Sequence, residues 1–379
     1  MQEYQTIIIG AGPAGLIAGR HLKNALILDK KKEIGKPVQC GEGVSENALE
    51  LQGIEPDDSW ISCKIHKMER ITPSGKVIGK FHEEAMGYVI KREKFEKYLT
   101  QDLRAEIKLN TKVIDLKFEN NLWEVIIEGG EKFKSKYIIG ADGPASVVRR
   151  KVFPESQDKI KFVPAVQYLI KTEKELDDKT IKIYLDNEKY NHGYAWIFPK
   201  SKNTANVGIG SLGNFSKELN KFLEEVIKKN YGDYEIIENR SGTIPVANIS
   251  QCKLYKNEAF LVGDAAGLAD PIFKGGISQA MMSGKIAGEC ILENNPDSYE
   301  AKIKTMPFAD EKLIKASEIF YGFDNEVLDE LGNVFENKEL SYAQTFRGAL
   351  KVLSRSAFLK NIKKFFMLVF AWKNSKDCM

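Results

Sequence analysis

A glycine-rich segment joins a short apolar strand to a helix near the start of the chain. Gly10 to Gly15 read G-x-G-x-x-G, the apolar run Thr6 to Ile9 precedes them, and Asp29 ends the next apolar run, nineteen residues after Gly10. Such glycines permit a tight turn and let backbone N–H groups and the helix N-terminus approach a pyrophosphate, while a carboxylate at the end of the second strand accepts hydrogen bonds from a ribose. The segment therefore predicts the opening of a doubly wound α/β sheet that binds a dinucleotide.

Length and composition are those of a globular protein with more than one domain. The chain has 379 residues, 43% apolar and 29% charged, and its net charge of +3 does not favour a nucleic-acid partner. The five cysteines form no C-x-x-C pair and the four histidines have no metal-ligand spacing, so no disulfide framework and no metal site are predicted. With no signal-peptide pattern and no apolar run of ~18 residues, we expect a cytoplasmic protein that does not cross a membrane.

Changes of pattern along the chain predict three regions. Strand, turn and helix patterns recur at residues 137–150 and 259–294, so an α/β, Rossmann-like nucleotide-binding domain is built from non-contiguous segments. Short β-branched and aromatic runs separated by Gly, Asn, Asp and Pro predict an inserted antiparallel β-sheet domain. The expected boundaries are 1–61, 88–160 and 250–297 for the nucleotide-binding domain, 62–87 and 161–249 for the β-sheet substrate domain, and 298–379 for a helical C-terminal region.

A second glycine pattern, Gly208-x-Gly210-x-x-Gly213, is compatible with a separate NAD(P)H site. No strand that ends in an acid follows about twenty residues later, as such a site requires. We interpret the pattern as a strand and turn of the β-sheet domain.

Two later motifs indicate which dinucleotide is bound. The run Ile138 to Ser146, around Asp142, and the run Leu261 to Gly267, around Asp264, resemble the DG and GD motifs of the large flavoprotein class built like p-hydroxybenzoate hydroxylase. This resemblance implies FAD, with Asp264 at the ribityl hydroxyls. It also implies that the helix starting after Gly275 to Ile277 directs N–H groups at negative charge on the reduced flavin.

Two further segments narrow the family. The run Pro37 to Ser45, which contains Cys40, and the run Gly193 to Pro199, with alternating aromatic side chains, resemble the geranylgeranyl reductase family, and the likeness extends over residues 1 to about 295. Members are FAD enzymes that saturate isolated C=C bonds of prenyl chains, including those of archaeal-type digeranylgeranylglycerophospholipids. The resemblance implies the same activity here, with the cysteine segment near the flavin. Our hypothesis is that Cys40 is the proton donor or the residue that positions it.

The resemblance also implies which residues contact cofactor and substrate. The cofactor positions are Gly10, Gly12, Ala14, Gly15, Asp29, Cys40, Gly41, Gly43, Arg92, Val113, Asp142, Asp264, Gly275, Gly276 and Ile277. The positions beside a prenyl lipid, in an apolar tunnel, are Tyr194, Trp196 and Phe198. The residues alone leave two other interpretations open: Cys40 as a small buried residue, and the three aromatics, which alternate with period two, as the core face of a strand.

Two other functions also stay open. The sequence Tyr194-x-Trp196-x-Phe198-Pro199 is close to the Trp-x-Trp-x-Ile-Pro of flavin halogenases, so a flavin-dependent monooxygenase or halogenase is the first alternative. A non-catalytic flavoprotein that binds lipid or senses redox state is the second. For a reductase, the external electron donor is either NAD(P)H or an electron-donor protein, reduced ferredoxin.

The end of the chain is basic and amphipathic. From Ser341 to Lys376 there is no acidic residue, and lysines and arginines interleave with aromatic and aliphatic side chains. This pattern is typical of a segment that lies on an anionic membrane surface, and equally of a C-terminal helix that packs its apolar face on the core. The first interpretation predicts a peripheral membrane contact.

Overall fold

The computed structural model describes residues 2–213 and 218–338. Its strands are β1 (Gln2–Ile9), β2 (Ala25–Leu28), β3 (Gly43–Ser45), β4 (Ile61–Ile65), β5 (Lys67–Ile71), β6 (Val77–Ile78), β7 (Gly87–Ile90), β8 (Glu106–Lys108), β9 (Val113–Glu119), β10 (Leu122–Ile127), β11 (Lys132–Gly140), β12 (Ile160–Thr172), β13 (Thr180–Tyr184), β14 (Tyr194–Ser201), β15 (Thr204–Gly210), β16 (Tyr234–Ala247), β17 (Tyr255–Lys256) and β18 (Ala259–Leu261). Its α-helices are α1 (Pro13–His21), α2 (Glu46–Glu50), α3 (Arg92–Tyr98), α4 (Val147–Val152), α5 (Pro154–Gln157), α6 (Asn187–Tyr190), α7 (Leu219–Tyr231), α8 (Ile277–Leu292), α9 (Tyr299–Lys304), α10 (Glu311–Tyr321) and α11 (Asn325–Phe335). The predicted α/β class is confirmed.

The largest sheet has a parallel centre. Strands β18, β11, β1, β2 and β8 lie side by side in that order and all run parallel, while β17, β10 and β9 add antiparallel pairs. β2 is buried along its whole length, and β1 and β11 over their last four residues, as expected for parallel strands covered by helices. Helix α1 packs on β1 and β2 and against α8, so residues far apart in the sequence form one lobe.

The second sheet contains seven strands in the order β16-β12-β15-β14-β13-β5-β6. All its pairs are antiparallel except β13 with β5, where Thr180 pairs with Lys67 in a parallel register. This pair differs from the expected antiparallel arrangement, because only a short hairpin forces antiparallel pairing and these strands are more than a hundred residues apart. Strand β7 lies instead at the centre of a small third sheet, where it pairs with β3 on one side and β4 on the other.

Helices cover both faces of the seven-stranded sheet, so the alternating side chains of β14 enter two different cores. On one face, Ala195 and Ile197 pack with Leu223 and Ile227 of α7. On the other face, α10 and α11 pack over a cluster that includes Tyr194, Trp196, Phe273, Tyr321 and Leu328.

The predicted helical region is described as far as residue 338, where α9, α10 and α11 lie. The basic segment Ser341 to Lys376 lies outside the described residues. No helix of the described part is long and apolar enough to cross a membrane.

Candidate active site

The glycine-rich turn is held against the DG motif. Gly10 has a φ of +108°, and a β carbon there would lie 2.2 Å from the carbonyl oxygen of Ala141, so only glycine fits. Asp29 accepts hydrogen bonds from the backbone N–H groups of Ala11 (2.6 Å) and Lys31 (2.7 Å). The predicted ribose carboxylate therefore also fastens the turn after β1 to the end of β2.

The DG motif presents a buried carboxylate. Asp142 Oδ2 accepts N–H bonds from Val147 (2.6 Å) and Val148 (3.3 Å) at the start of α4, whereas its Oδ1 is buried with no partner among the described residues. Burial raises the pKa of Asp142. Arg149, 1% exposed, donates to the Ala265 carbonyl (2.7 Å), which joins the DG motif to the GD motif.

Asp264 of the GD motif has no hydrogen-bond partner for its side chain among the described residues. Burial raises its pKa to about 6, although the positive charges of Arg92 and Arg149 oppose the rise. A β carbon at Gly276 would lie 3.4 Å from Asp264 Oδ1, and one at Gly275 would meet no atom within 4 Å. Helix α8 begins directly after Gly276 with no side-chain cap, so its first N–H groups are available to a ligand.

The loop between the GD motif and α8 is fixed by side chains of strand β14 and helix α10. Asp270 Oδ1 accepts the N–H groups of Ile272 (2.9 Å) and Phe273 (2.5 Å). Three hydroxyl groups also donate to consecutive carbonyls of this loop: Ser317 to Pro271 (2.8 Å), Tyr321 to Ile272, and Tyr194 to Phe273. Strand β14 and helix α10 therefore both hold the loop that leads into α8.

Cys40 is half-buried beside two positively polarised groups. Its Sγ accepts a hydrogen bond from the N–H of Glu42 (3.2 Å) and contacts the guanidinium of Arg92. Arg92 Nε in turn donates to Glu96 (2.7 Å). Burial alone would lower the pKa of Arg92, but Glu96 and Cys40 outweigh burial and raise it.

The aromatic strand β14 meets the cysteine turn. Trp196 Nε1 donates to Gln167 Oε1 (2.9 Å), and Gln167 Nε2 donates to the carbonyl of Cys40 (2.9 Å). A β carbon at Gly41 or Gly43 would lie 3.1 Å or 3.0 Å from the Phe198 ring, so that ring rests directly on the turn. Tyr194 and Trp196, each 8% exposed, also belong to the apolar core under α10 and α11.

Val113, another of the predicted cofactor positions, is the first residue of β9. It follows Thr111, whose N–H donates to the carbonyl of Asp29 (2.8 Å), and its side chain is 8% exposed. Val113 therefore lies two residues after a backbone hydrogen bond to the predicted ribose carboxylate residue.

Sequence reasoning missed two buried polar side chains. Gln167 bridges Trp196 and Cys40, and Glu42 ties the cysteine turn to both lobes. The only available signal for Glu42 was its position between two glycines, and Gln167 lies in an otherwise ordinary strand pattern.

Comparison with known proteins connects this geometry to a family. The family model described as "Geranylgeranyl reductase catalytic domain" matches residues 162–244, which include the aromatic strand β14. Digeranylgeranylglycerophospholipid reductase 1 of Methanosphaera stadtmanae is 32% identical over 96% of this chain and 94% of its own length. The chain belongs to the geranylgeranyl reductase family. A second such relative, digeranylgeranylglycerophospholipid reductase 2 of Methanococcoides burtonii, is 37% identical over 76% of this chain and 74% of its own.

Solved structures agree with this assignment. A geranylgeranyl bacteriochlorophyll reductase-like protein from Thermoplasma acidophilum has a TM-score of 0.85 and 27% identity, and the match covers 96% of this chain and 100% of that chain. A flavin-dependent halogenase has a TM-score of 0.67 at 18% identity and covers 94% of this chain and 71% of its own, so it shares the fold alone. The geranylgeranyl reductase family consists of FAD-dependent oxidoreductases, which supports FAD as the cofactor.

Proposed function

We propose that this protein is an FAD-dependent reductase that saturates the isolated C=C bonds of geranylgeranyl chains carried by a glycerophospholipid. The observation that carries the proposal is the chain of hydrogen bonds from Trp196 through Gln167 to the Cys40 carbonyl, because it joins the aromatic strand to the turn at the cofactor site. The relatives named digeranylgeranylglycerophospholipid reductases support this substrate class.

The residues present fit FAD. Asp142 Oδ1 and the Asp264 carboxylate are polar groups without protein partners in the described part, and the β-carbon side of Gly12 is open. Each Asp29 oxygen retains lone-pair capacity for a ribose hydroxyl. We propose that these residues hold FAD together with Gly10, Ala14, Gly15, Cys40, Gly41, Gly43, Arg92, Val113, Gly275, Gly276 and Ile277.

Side chains of the protein would stabilise the positive charge that develops at the reacting bond. Bound, reduced FAD supplies the hydride that reaches the tertiary carbon of the alkene. Because an isolated trisubstituted alkene is electron-rich, a proton must reach its other carbon early, which leaves positive charge on the tertiary carbon. The ring faces of Tyr194 and Trp196 stabilise that charge, and Cys40 Sγ donates the proton or positions its donor.

An anaerobic single-turnover experiment tests this proposal. The protein is reduced with dithionite and mixed with digeranylgeranylglycerophospholipid, and flavin reoxidation is followed by absorbance and lipid mass by mass spectrometry. We expect reoxidation together with stepwise gains of two hydrogens. A flavin that stays reduced until oxygen is admitted, followed by oxygenated or halogenated product, would support the oxidative alternative instead. Full flavin occupancy without turnover on any prenyl lipid would support a non-catalytic flavoprotein.

The role of Cys40 is tested by substitution in the same assay. Cys40→Ala removes the sulfur, and Cys40→Ser replaces it with a hydroxyl that can still donate a proton. We expect Cys40→Ala to slow flavin reoxidation on the order of a hundredfold and Cys40→Ser to lose less. Wild-type rates in both variants would remove Cys40 from the mechanism.

The electron donor is external in this proposal. Gly208 and Gly210 lie within strand β15, which favours the interpretation of the second glycine pattern as a strand and turn. The donor is identified by measuring, without oxygen, how fast NADH, NADPH and reduced ferredoxin reduce the bound flavin at equal donor concentrations.

We also propose that the basic segment Ser341 to Lys376 contacts an anionic membrane surface, on the strength of its sequence. Flotation with anionic and with neutral vesicles tests this. We expect the full chain to float with anionic vesicles only and a chain without residues 355–379 to lose that binding; unchanged binding after truncation would contradict the proposal.

A further inference from the structure

Glu42 is a buried carboxylate in the turn that carries Cys40. It lies between Gly41 and Gly43, is 2% exposed and has a φ of +71°, a conformation that residues other than glycine rarely adopt. The chemistry proposed above gives it no role. A charge buried this deeply in a strained backbone position requires specific partners.

The partners of Glu42 come from both lobes. On the side of the parallel-sheet lobe, its Oε1 accepts the N–H of Arg92 (2.8 Å), and its carbonyl accepts the N–H of Ile90 (2.8 Å). On the side of the seven-stranded sheet, its Oε2 accepts bonds from three side chains: Asn206 (2.7 Å), Lys200 (2.8 Å) and Arg240 (3.5 Å). One carboxylate therefore joins the start of α3 to strands β14, β15 and β16 of the seven-stranded sheet.

The same groups fix the geometry of the cysteine turn. The Glu42 N–H donates to Cys40 Sγ (3.2 Å), and Asn206 Nδ2 donates also to the Gly41 carbonyl (3.2 Å). Arg92, bound to Glu42 through its backbone, contacts the sulfur through its guanidinium. Movement of the Glu42 carboxylate would therefore move Cys40 relative to both the aromatic strand and the cofactor cradle.

We propose that Glu42 is a positioning residue, which holds the Cys40 turn against the aromatic strand and balances the positive charges buried around the sulfur. This inference rests on the proposed reductase function. Glu42 touches neither substrate nor reacting atoms and acts through Cys40. A role in folding alone is the competing explanation, because buried ion pairs that lose one partner destabilise the fold whatever their part in catalysis.

The charges around Cys40 affect the pH dependence of its alkylation, which a role of Glu42 in folding alone would leave unchanged. The groups facing this turn are Arg92 and Glu96 of α3, Lys200 of β14, and Arg240 and Glu238 of β16. Without the Glu42 carboxylate, cations outnumber anions near the sulfur, which favours the thiolate. The pH profile of Cys40 alkylation should therefore shift to lower pH.

Four variants, together with the conservative replacement Glu42→Asp, separate positioning from folding. Glu42→Gln keeps the size and removes the charge, while Glu42→Gly removes the side chain and suits the positive φ. The double variant Glu42→Gln with Lys200→Met also removes one of the cations that Glu42 pairs with, so fewer cations remain without a partner. It allows the test to be made where the single variants fold poorly. Lys202→Gln, which breaks an exposed pair with Glu175 on the neighbouring turn, is the matched control.

Each FAD-loaded variant is measured for the flavin reoxidation rate with the lipid, the lipid concentration at half-maximal rate, and Cys40 alkylation against pH by peptide mass spectrometry. We expect the Glu42 variants, the double variant included, to lose on the order of a hundredfold in rate with little change in the half-maximal lipid concentration. We expect Glu42→Gln to show the alkylation shift, Glu42→Asp to recover the wild-type profile, and Lys202→Gln to match wild type.

Wild-type rates and alkylation profiles in folded Glu42→Gln and in the double variant would overturn the inference. A loss of rate that tracks only the melting temperature, with the alkylation profile unchanged, would assign Glu42 to folding and also overturn it. The alkylation arm needs no substrate. If the wild-type protein reduces no lipid, the proposed function fails while the alkylation profiles still decide whether Glu42 controls Cys40.

Discussion

Trp196 owes its position to the lack of a side chain at Gly208 on the neighbouring strand. A β carbon at Gly208 would lie 2.2 Å from Trp196 Cζ2, far inside the contact distance of two carbon atoms. The indole is held flat over this glycine while its Nε1 reaches Gln167. The aromatic wall proposed for the substrate is thus set by one residue on β14 and one on β15.

We expect Gly208→Ala to displace the Trp196 ring and break its hydrogen bond to Gln167. The overpacking should cost about 1–3 kcal/mol of stability and lower the flavin reoxidation rate with lipid. Gly210→Ala is the matched control, because a β carbon there would meet its nearest atom at 3.7 Å, an ordinary contact. Thermal melting and tryptophan fluorescence are the measurements. Equal behaviour of the two variants would show that Trp196 does not depend on Gly208.

At the scale of elements, the loop from Asp270 to Gly276 carries a buried lysine. Lys274 donates to the Pro271 carbonyl, and its Nζ lies 4.7 Å from the centre of the Tyr321 ring. Burial lowers the pKa of Lys274 to about 8; Asp270 opposes the shift and Lys161 adds to it. The loop that leads into α8 therefore contains a group that titrates near physiological pH.

The pKa of Lys274 predicts a pH-dependent stability. Its native pKa of about 8 lies below the ordinary 10.5, so between these values the unfolded chain binds more protons and stability rises with pH. Relative to Lys274→Met, the wild type should gain about 3 kcal/mol in unfolding free energy between pH 7 and pH 10.5. Urea unfolding of both proteins over this range measures the difference. An exposed control, Lys202→Met, should stay parallel to wild type, and a parallel curve for Lys274→Met would contradict the assignment.

Local motifs made part of this architecture predictable, and distant contacts did not. Three motifs have short-range causes and could therefore be located from the sequence. The Gly10 turn requires a positive φ, the DG motif caps the start of a helix, and the GD motif follows the end of a strand. The bonds of Glu42 to Lys200 and Arg240 join residues 158 and 198 positions apart, and no local pattern indicates them. The parallel pairing of β5 with β13 is equally non-local.

At the scale of the whole molecule, the proposed cofactor cradle collects residues from three separate stretches of the chain. The glycine turn, the DG motif and the GD motif meet through the close approach of Gly10 to Ala141 and the bond from Arg149 to Ala265. The carboxylate of Asp264 is buried at this junction without a hydrogen bond from the described residues. Such a group stabilises the complex with a ligand and destabilises the protein without it.

Asp264→Asn should reverse that balance. The native pKa of Asp264, about 6, lies above the ordinary 3.8, so the native state binds more protons between these values and the flavin-free protein loses about 2 kcal/mol as pH rises from 4 to 6. At pH 7.5 the flavin-free variant should therefore melt at a higher temperature than wild type. Saturating FAD should raise the melting temperature of the variant less than that of the wild type, because the variant lacks the charged acceptor for the ribityl hydroxyls. Its affinity for FAD should fall roughly tenfold or more. Calorimetry with and without FAD measures both effects, and at pH 4 the flavin-free proteins should converge. A lower flavin-free melting temperature, or an unchanged response to FAD, would show that Asp264 is not the carboxylate that the cofactor satisfies.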